Sequence, residues 1–376
     1  MKKIRPVWAE INLADIVHNY QEVRRLVGPK VLVMAIVKAN AYGHGAVKVA
    51  QTLSEAGANY FGVAITNEAI QLREAGIDKP ILIIGWTPPE DYERALQYRI
   101  ALTIYSLQEA EILSRIALEY GEKATVHLKI DTGMGRIGFI PSQESLREIL
   151  QILKLPGLKV EGIFTHLAKA DEKDKSYTNQ QLDLFQKFCR QIEDTAGYRI
   201  SLKHTANSAA IIDCPNSYFD MVRAGIMLYG LRPSAEVQLS KVDLRQALTL
   251  RARISHIKKV PPNSSISYGG IYVTEAEELI ATLPIGYADG YSRLLSNRAR
   301  VAWQGHTAPI LGRVCMDQIM FRATGLDVKI GDVVTLIGRD RDIFLSVDEF
   351  AEILGTINYE IVCMLSERVP RVYQGG

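Results

Sequence analysis

From residue 31 onward the chain alternates short apolar runs with longer stretches of helical periodicity. VLVMAIV (31–37), YFGVAI (60–65), ILIIG (81–85), ALTIY (101–105), TVHLKI (125–130), VEGIFTH (160–166), SLKHT (201–205) and FDMVRAG (219–225) are the strand candidates. Stretches such as SLQEAEILSRIALEY (106–120) and TNQQLDLFQKFCRQIED (178–194) supply the helices between them. Strands apolar on both faces belong to parallel sheets covered by helices. Eight such units in about two hundred residues predict a closed (β/α)₈ barrel rather than an open doubly wound sheet. The last two runs carry the thinnest apolar pattern.

After LRPS (231–234) the pattern changes to strand-like runs separated by turn signals, among them RARISHIKKV, ELIATLPIGY, RVAWQGHTAPILG and DVVTLIG. That predicts a second, mostly β domain. The boundary falls near residue 238, giving domains 1–238 and 239–376. The opening strand, within residues 1–11, precedes the barrel and is available to the β domain. At 376 residues the chain has length enough for both cores.

Composition narrows the function. Forty-four basic against forty-two acidic side chains leave a net charge of +2, which argues against a nucleic-acid or anionic-membrane partner. The charged N-terminal stretch lacks a signal peptide's apolar region and cleavage site, and no run approaches membrane-spanning length. Cys189, Cys214, Cys315 and Cys363 have no C-x-x-C spacing, which suits a reducing cytoplasm and predicts neither a zinc site nor a disulfide framework. His44, His166 and His204 lack the pairing and the carboxylates of a metal-dependent hydrolase, so no metal is expected.

Chemistry in such a barrel sits on the loops leaving the carboxyl ends of the strands. Lys38 ends the first strand, Arg136 follows the fifth, His166 ends the sixth, HTANSAA follows the seventh and RAGI the eighth. Ser208 and Gly225 are suited to hold a phosphate, one by its hydroxyl and the other by close backbone approach. A lysine facing a phosphate site points to pyridoxal phosphate held as a Schiff base. On this reading the glycines after Lys38, Gly43 and Gly45, leave room for the cofactor. GMGRIG (133–138) matches a dinucleotide fingerprint only superficially, since it follows the fifth strand and runs into FIP. It reads better as a loop presenting Arg136 to a carboxylate.

KANAYGHG, KIDTGMGRIG, THLA, HTANSAA, RAGIMLYG, SYGG, LPIGYADGY, GRVCMDQ and INYE, in this order, make the chain resemble the pyridoxal-phosphate-dependent alanine racemases of bacteria from end to end. The resemblance implies that Lys38 carries the cofactor and that Tyr42, Ser208, Gly225, Ile226 and Tyr359 hold its phosphate. Arg223 then faces the pyridine nitrogen, Arg136 and the Met316 backbone bind the substrate carboxylate, and Tyr287 stands at the site's mouth. Racemisation needs a base on each face of a planar centre. Lys38 is one, and the resemblance makes Tyr268 the other, contributed by the second subunit of a homodimer with shared sites. A phenol of pKa about 10 needs a cationic neighbour to work as a base; His166 and Arg223 are the expected ones. Lys129 matches a lysine that is carbamylated in many relatives. The biological role implied is D-alanine supply for peptidoglycan.

The alternatives are a pyridoxal-phosphate decarboxylase of the same architecture, a racemase that also accepts serine, and a non-catalytic cofactor carrier. An acidic partner for the pyridine nitrogen would favour the decarboxylase. Arg223 and Tyr268 favour the racemase, and the second domain is superfluous to a carrier. Tyr268, Tyr272, Tyr287 and Tyr291 are otherwise ordinary strand and packing residues.

Overall fold

The computed structural model describes residues 5–375. A first strand, β1 (Val7–Asn12), precedes eight parallel strands: β2 (Leu32–Ile36), β3 (Tyr60–Val63), β4 (Ile81–Ile83), β5 (Ala101–Ile104), β6 (Ala124–Lys129), β7 (Leu158–Phe164), β8 (Leu202–His204) and β9 (Met221–Ala224). Each parallel strand coincides with one of the apolar runs. Every residue of β3, β4, β5 and β9 is buried, as expected of strands with a packed interior on one side and helices on the other.

The ladder runs β8-β7-β6-β5-β4-β3-β2-β9, so the barrel is nearly rather than fully closed. The seam lies between β8 and β9. In place of a ladder, hydrogen bonds cross it from Asp220 N to Lys203 O (3.0 Å), from Lys203 N to Asp220 Oδ2 (2.8 Å) and from Arg223 N to Ala206 O (2.9 Å), and the Arg223 guanidinium adds bonds to His204. β8 is only three residues long, which accounts for its thin pattern and for the missing pairs. The helices take their bounds from ordinary end signals: Ser106 caps Leu107–Tyr120 by accepting from Glu109 N, and Gly121 closes it in the left-handed region.

The second sheet has ten strands, adding β10 (Leu248–Arg253), β11 (His256–Val260), β12 (Glu278–Leu283), β13 (Arg300–Trp303), β14 (His306–Leu311), β15 (Ile319–Arg322), β16 (Val333–Asp340), β17 (Ile343–Leu345) and β18 (Arg371–Gln374). β1 lies inside it, antiparallel to β10 and parallel to β18. Of the opening segment assigned to this sheet, residues 1–4 lie outside the described residues. Two helices, Val347–Leu354 and Asn358–Met364, lead from the sheet back to the barrel mouth. Among the described residues no helix is long and apolar enough to cross a membrane.

Candidate active site

At the carboxyl ends of the barrel strands lies a cavity of about 590 Å³. Lys38, Tyr42, Lys129, Arg136, His166, Ser208, Arg223, Gly225, Ile226 and Tyr359 all line it. Ten of the thirteen residues singled out in the sequence therefore converge. Four cations (Lys38, Lys129, Arg136, Arg223) face a single lining carboxylate, Asp171, so the cavity is built for an anion.

Lys38 enters it from an unusual backbone. Ala39, Asn40, Ala41 and Tyr42 form a left-handed turn, with φ between 51° and 53°. Such a conformation costs roughly 1–2 kcal/mol per residue. It persists because its polar groups are tied down: Glu68 accepts from Ala39 N (2.6 Å), and Asn40 Oδ1 accepts from Ala46 N (2.8 Å). Strain of this kind is characteristic of functional sites. Gly43 and Gly45 complete the turn, and here the cofactor reading of these glycines is corrected. A Cβ on Gly43 would meet the Val362 carbonyl oxygen at 2.1 Å, and one on Gly45 the Tyr373 hydroxyl at 1.9 Å. The glycines make room for C-terminal segments to pack under the Lys38 turn. Burial, and next the Arg136 charge, lower the Lys38 pKa and so favour its neutral, nucleophilic form.

Across the cavity, Asn207 caps the helix Ser208–Asp213, accepting from Ala210 N. That places the Ser208 hydroxyl where it accepts from Gly225 N (2.9 Å) and Met227 N (3.4 Å). A Cβ on Gly225 would lie 3.0 Å from the Tyr42 hydroxyl and 3.6 Å from Ser208 Oγ. Two hydroxyls, the helix start at Ser208 and the space kept by a missing Cβ make a cradle fitting a phosphate. Burial raises the pKa of Tyr42 and of Tyr359, so both stay protonated donors.

Arg223 is buried and donates to His204 Nδ1 and O, Thr165 O, Thr205 O and His166 Nδ1. Burial pulls its pKa down to about 9, still above neutrality, and it has no carboxylate partner among the described residues. Its charge faces Lys129, which burial and then Arg223 push down to about 7. Lys129 Nζ donates to Ile130 O (2.8 Å). Asp131 orders the glycine turn before Arg136 by accepting from the N–H groups of Gly133, Met134 and Gly135; burial works against its carboxylate, but those bonds win and hold its pKa down. The chain then returns to β6 through Phe139, with no helix until Gln143.

His166 departs from expectation. Burial first, then Arg223 and Arg136, hold its pKa well below the usual histidine value. Its ring stays neutral, so of the two cations expected beside a phenol base only Arg223 remains charged. Because its Nδ1 accepts from the guanidinium, its proton sits on Nε2.

Tyr268, Tyr287 and Met316 do not line this cavity. They lie on the second domain and are 69%, 42% and 53% exposed. Tyr268 and Met316 share a surface depression with Cys315 and Asp317, and Tyr287 N donates to Cys315 O (3.0 Å). Sequence reasoning passed over Asp171, Glu68, Cys363 and His127. Of these His127 left a signal: with Lys129 and Asp131 it puts ionisable residues at every second position of an apolar strand.

Residues 11–233 match the family described as alanine racemase, N-terminal domain, and residues 247–373 match alanine racemase, C-terminal domain. The chain belongs to the alanine racemase family. An alanine racemase of Clostridium perfringens is 51% identical over 372 residues, covering 99% of this chain and 96% of that protein. The solved alanine racemase of Clostridium difficile 630 superposes with a TM-score of 0.95 at 46% identity, covering 99% of this chain and 97% of that one. An alanine racemase of Bartonella henselae, solved with covalently bound pyridoxal phosphate, has a TM-score of 0.85 at 30% identity and covers 98% and 99% of the two chains. The enzyme interconverts the enantiomers of alanine, and neither the decarboxylase nor the carrier reading is favoured.

Proposed function

We propose that the enzyme works with pyridoxal phosphate in the Lys38 cavity, as a homodimer whose sites are shared, and that it supplies D-alanine for peptidoglycan within the cytoplasm. The observation that carries this reading is the convergence of Lys38, the Ser208–Gly225 cradle and Arg223 on one cation-rich cavity. Ser208, Tyr42, Tyr359 and the backbone at Gly225 and Ile226 would hold the phosphate, Lys38 Nζ the carbonyl carbon and Arg223 the ring nitrogen. When bound, the cofactor draws electrons from the amino acid and makes its Cα–H acidic.

The chain's own residues then do the positioning and proton transfer. Arg136 grips the substrate carboxylate with its planar fork, helped by Met316 N, and Tyr287 guards the mouth. Lys38 Nζ, once released and neutral, takes or returns the proton on one face. The partner subunit's Tyr268, through its phenol oxygen, serves the other face, with Arg223 the cation of the site. Arg223 donates but cannot accept, so it leaves the ring nitrogen unprotonated and weakens the electron sink, which disfavours transamination. Serine differs from alanine by one hydroxyl and should be excluded only modestly. The domain division is placed at residue 238, with β1 counted with the β domain.

The test is direct. Protein loaded with pyridoxal phosphate and reduced with borohydride should carry the label on the peptide containing Lys38, and L-alanine should become a D,L mixture on chiral chromatography. A label elsewhere, or amine with carbon dioxide as products, would overturn the proposal.

Lys129 is proposed to be carbamylated. A pKa of about 7 leaves much of its amine neutral and able to add carbon dioxide, and the product exchanges a cation crowded by Arg223 and Arg136 for an anion that attracts both. Intact mass should exceed the sequence mass by one carbon dioxide, lost on mild acid treatment and absent from Lys129→Ala. Identical masses before and after acid would refute it.

A further inference from the structure

Behind Arg223 a line of polar side chains runs down through the barrel. Arg223 Nη1 donates to His204 Nδ1 (2.9 Å), His204 Nε2 lies 2.9 Å from His127 Nδ1, and His127 Nε2 faces Glu161 Oε2 at 3.4 Å. Both rings are fully buried, and Phe164 stacks on His204 with ring centroids 4.7 Å apart. The direction of every bond follows from the two ends. A guanidinium only donates, so His204 Nδ1 is bare and its proton sits on Nε2. That proton points at His127 Nδ1, which must therefore accept. His127 in turn carries its own proton on Nε2, toward a carboxylate that only accepts.

The backbone is shaped for this line. The β6–β7 register shifts between Val126, paired with Val160, and His127, paired with Gly162, leaving Glu161 as the extra residue of a bulge. Bulges re-aim side chains. At Gly162 a Cβ would lie 2.3 Å from His127 Nδ1, so the missing side chain keeps the space the ring occupies. Tyr60 OH donates to Glu161 Oε2 (2.8 Å) and Lys159 Nζ to Oε1 (3.3 Å), anchoring the carboxylate.

We propose that Glu161 and His127 are positioning residues for the racemase reaction: the Glu161 carboxylate orders a one-way hydrogen-bond line that keeps His204 an acceptor and so holds the Arg223 guanidinium in place. This rests on the reading that Arg223 faces the cofactor ring. Without the carboxylate only the guanidinium biases the two rings, and the fraction with the protons on Nδ1, where His204 confronts the guanidinium donor to donor, rises.

The test uses the holoenzyme with ¹⁵N-labelled histidine, whose ring nitrogen shifts report the tautomer. In the parent protein both His127 and His204 should be neutral with the proton on Nε2; a proton on Nδ1 of either overturns the proposal, whatever any variant does. Glu161→Leu should mix the tautomers, shift the cofactor absorbance and weaken pyridoxal-phosphate affinity by roughly tenfold, the loss of one charged hydrogen bond. Glu161→Asp should restore part of each. Unchanged tautomers in a folded Glu161→Leu overturn it. Altered tautomers with unaltered absorbance and affinity would uphold the ordered line and sink the assignment of Arg223 to the cofactor ring.

Discussion

Lys38→Ala and Tyr268→Phe chains, each purified alone, should racemise alanine roughly 10²- to 10⁴-fold more slowly than the parent, the usual cost of losing a positioned proton-transfer group. Mixed in equal amounts under subunit exchange, they should recover about a quarter of the parent rate. Lys38 lines the barrel cavity, whereas Tyr268 projects from the second domain, 69% exposed and outside that cavity. A two-fold dimer can unite them, and it makes two such sites. Half the dimers in a random mixture are hybrids, and each hybrid has one site with both bases and one with neither. The measurement is the initial rate against mixing ratio, with exchange verified by mass-tagged chains. Absence of recovery after full exchange would place both bases in one chain.

Stability should fall steeply as the pH drops below about 6.5. His44, His127 and His204 are fully buried and His166 lines the cavity wall, and burial is the leading cause holding the pKa of each below its ordinary value, for His44 down to about 4. In the unfolded chain they titrate near 6.5. Below that pH the unfolded state binds protons that the native state refuses, so stability rises with pH and is lost on acidification toward the folded-state values. Each group contributes up to about 1.4 kcal/mol per pH unit, and four approach a slope of about 5 kcal/mol per unit. Denaturant unfolding between about pH 7 and pH 5 measures it, with proton uptake on unfolding as the companion observation. A midpoint constant over that range would mean that the rings accept protons without disturbance.

The barrel was legible because strands such as β3, β4 and β5 are buried on both faces, which writes an unbroken apolar run such as ILIIG into the chain. Three-residue β8 shows where that signal fades, since SLKHT reveals a strand but not that its ladder with β9 is missing. Individual site residues were legible where a strand end meets an ionisable or small residue, as at Lys38, Arg223 and Gly225. Charge state was not. His166 is held neutral by its enclosure in the cavity wall and then by the charge of Arg223, fifty-seven positions away in sequence, which donates to it. The partners of Gly43 and Gly45 were likewise hidden, as Val362 and Tyr373 reach them from the far end of the chain. Glu161 is visible only once the bulge against β6 is seen, because in a regular strand the alternation would send its side chain elsewhere.

β1 has a consequence for how the molecule is made. Glu10 on this strand pairs with Arg251 on β10, 241 positions later, and β18 flanks its other edge. During synthesis β1 precedes both neighbours, meeting β10 only after the barrel strands and β18 only after the rest of the sheet have been translated. A ribosome-bound chain can close its barrel while that ribbon waits unzipped, and a fragment starting at residue 247 would leave β10 with a naked edge and β18 without its strand partner, inviting strand exchange between copies.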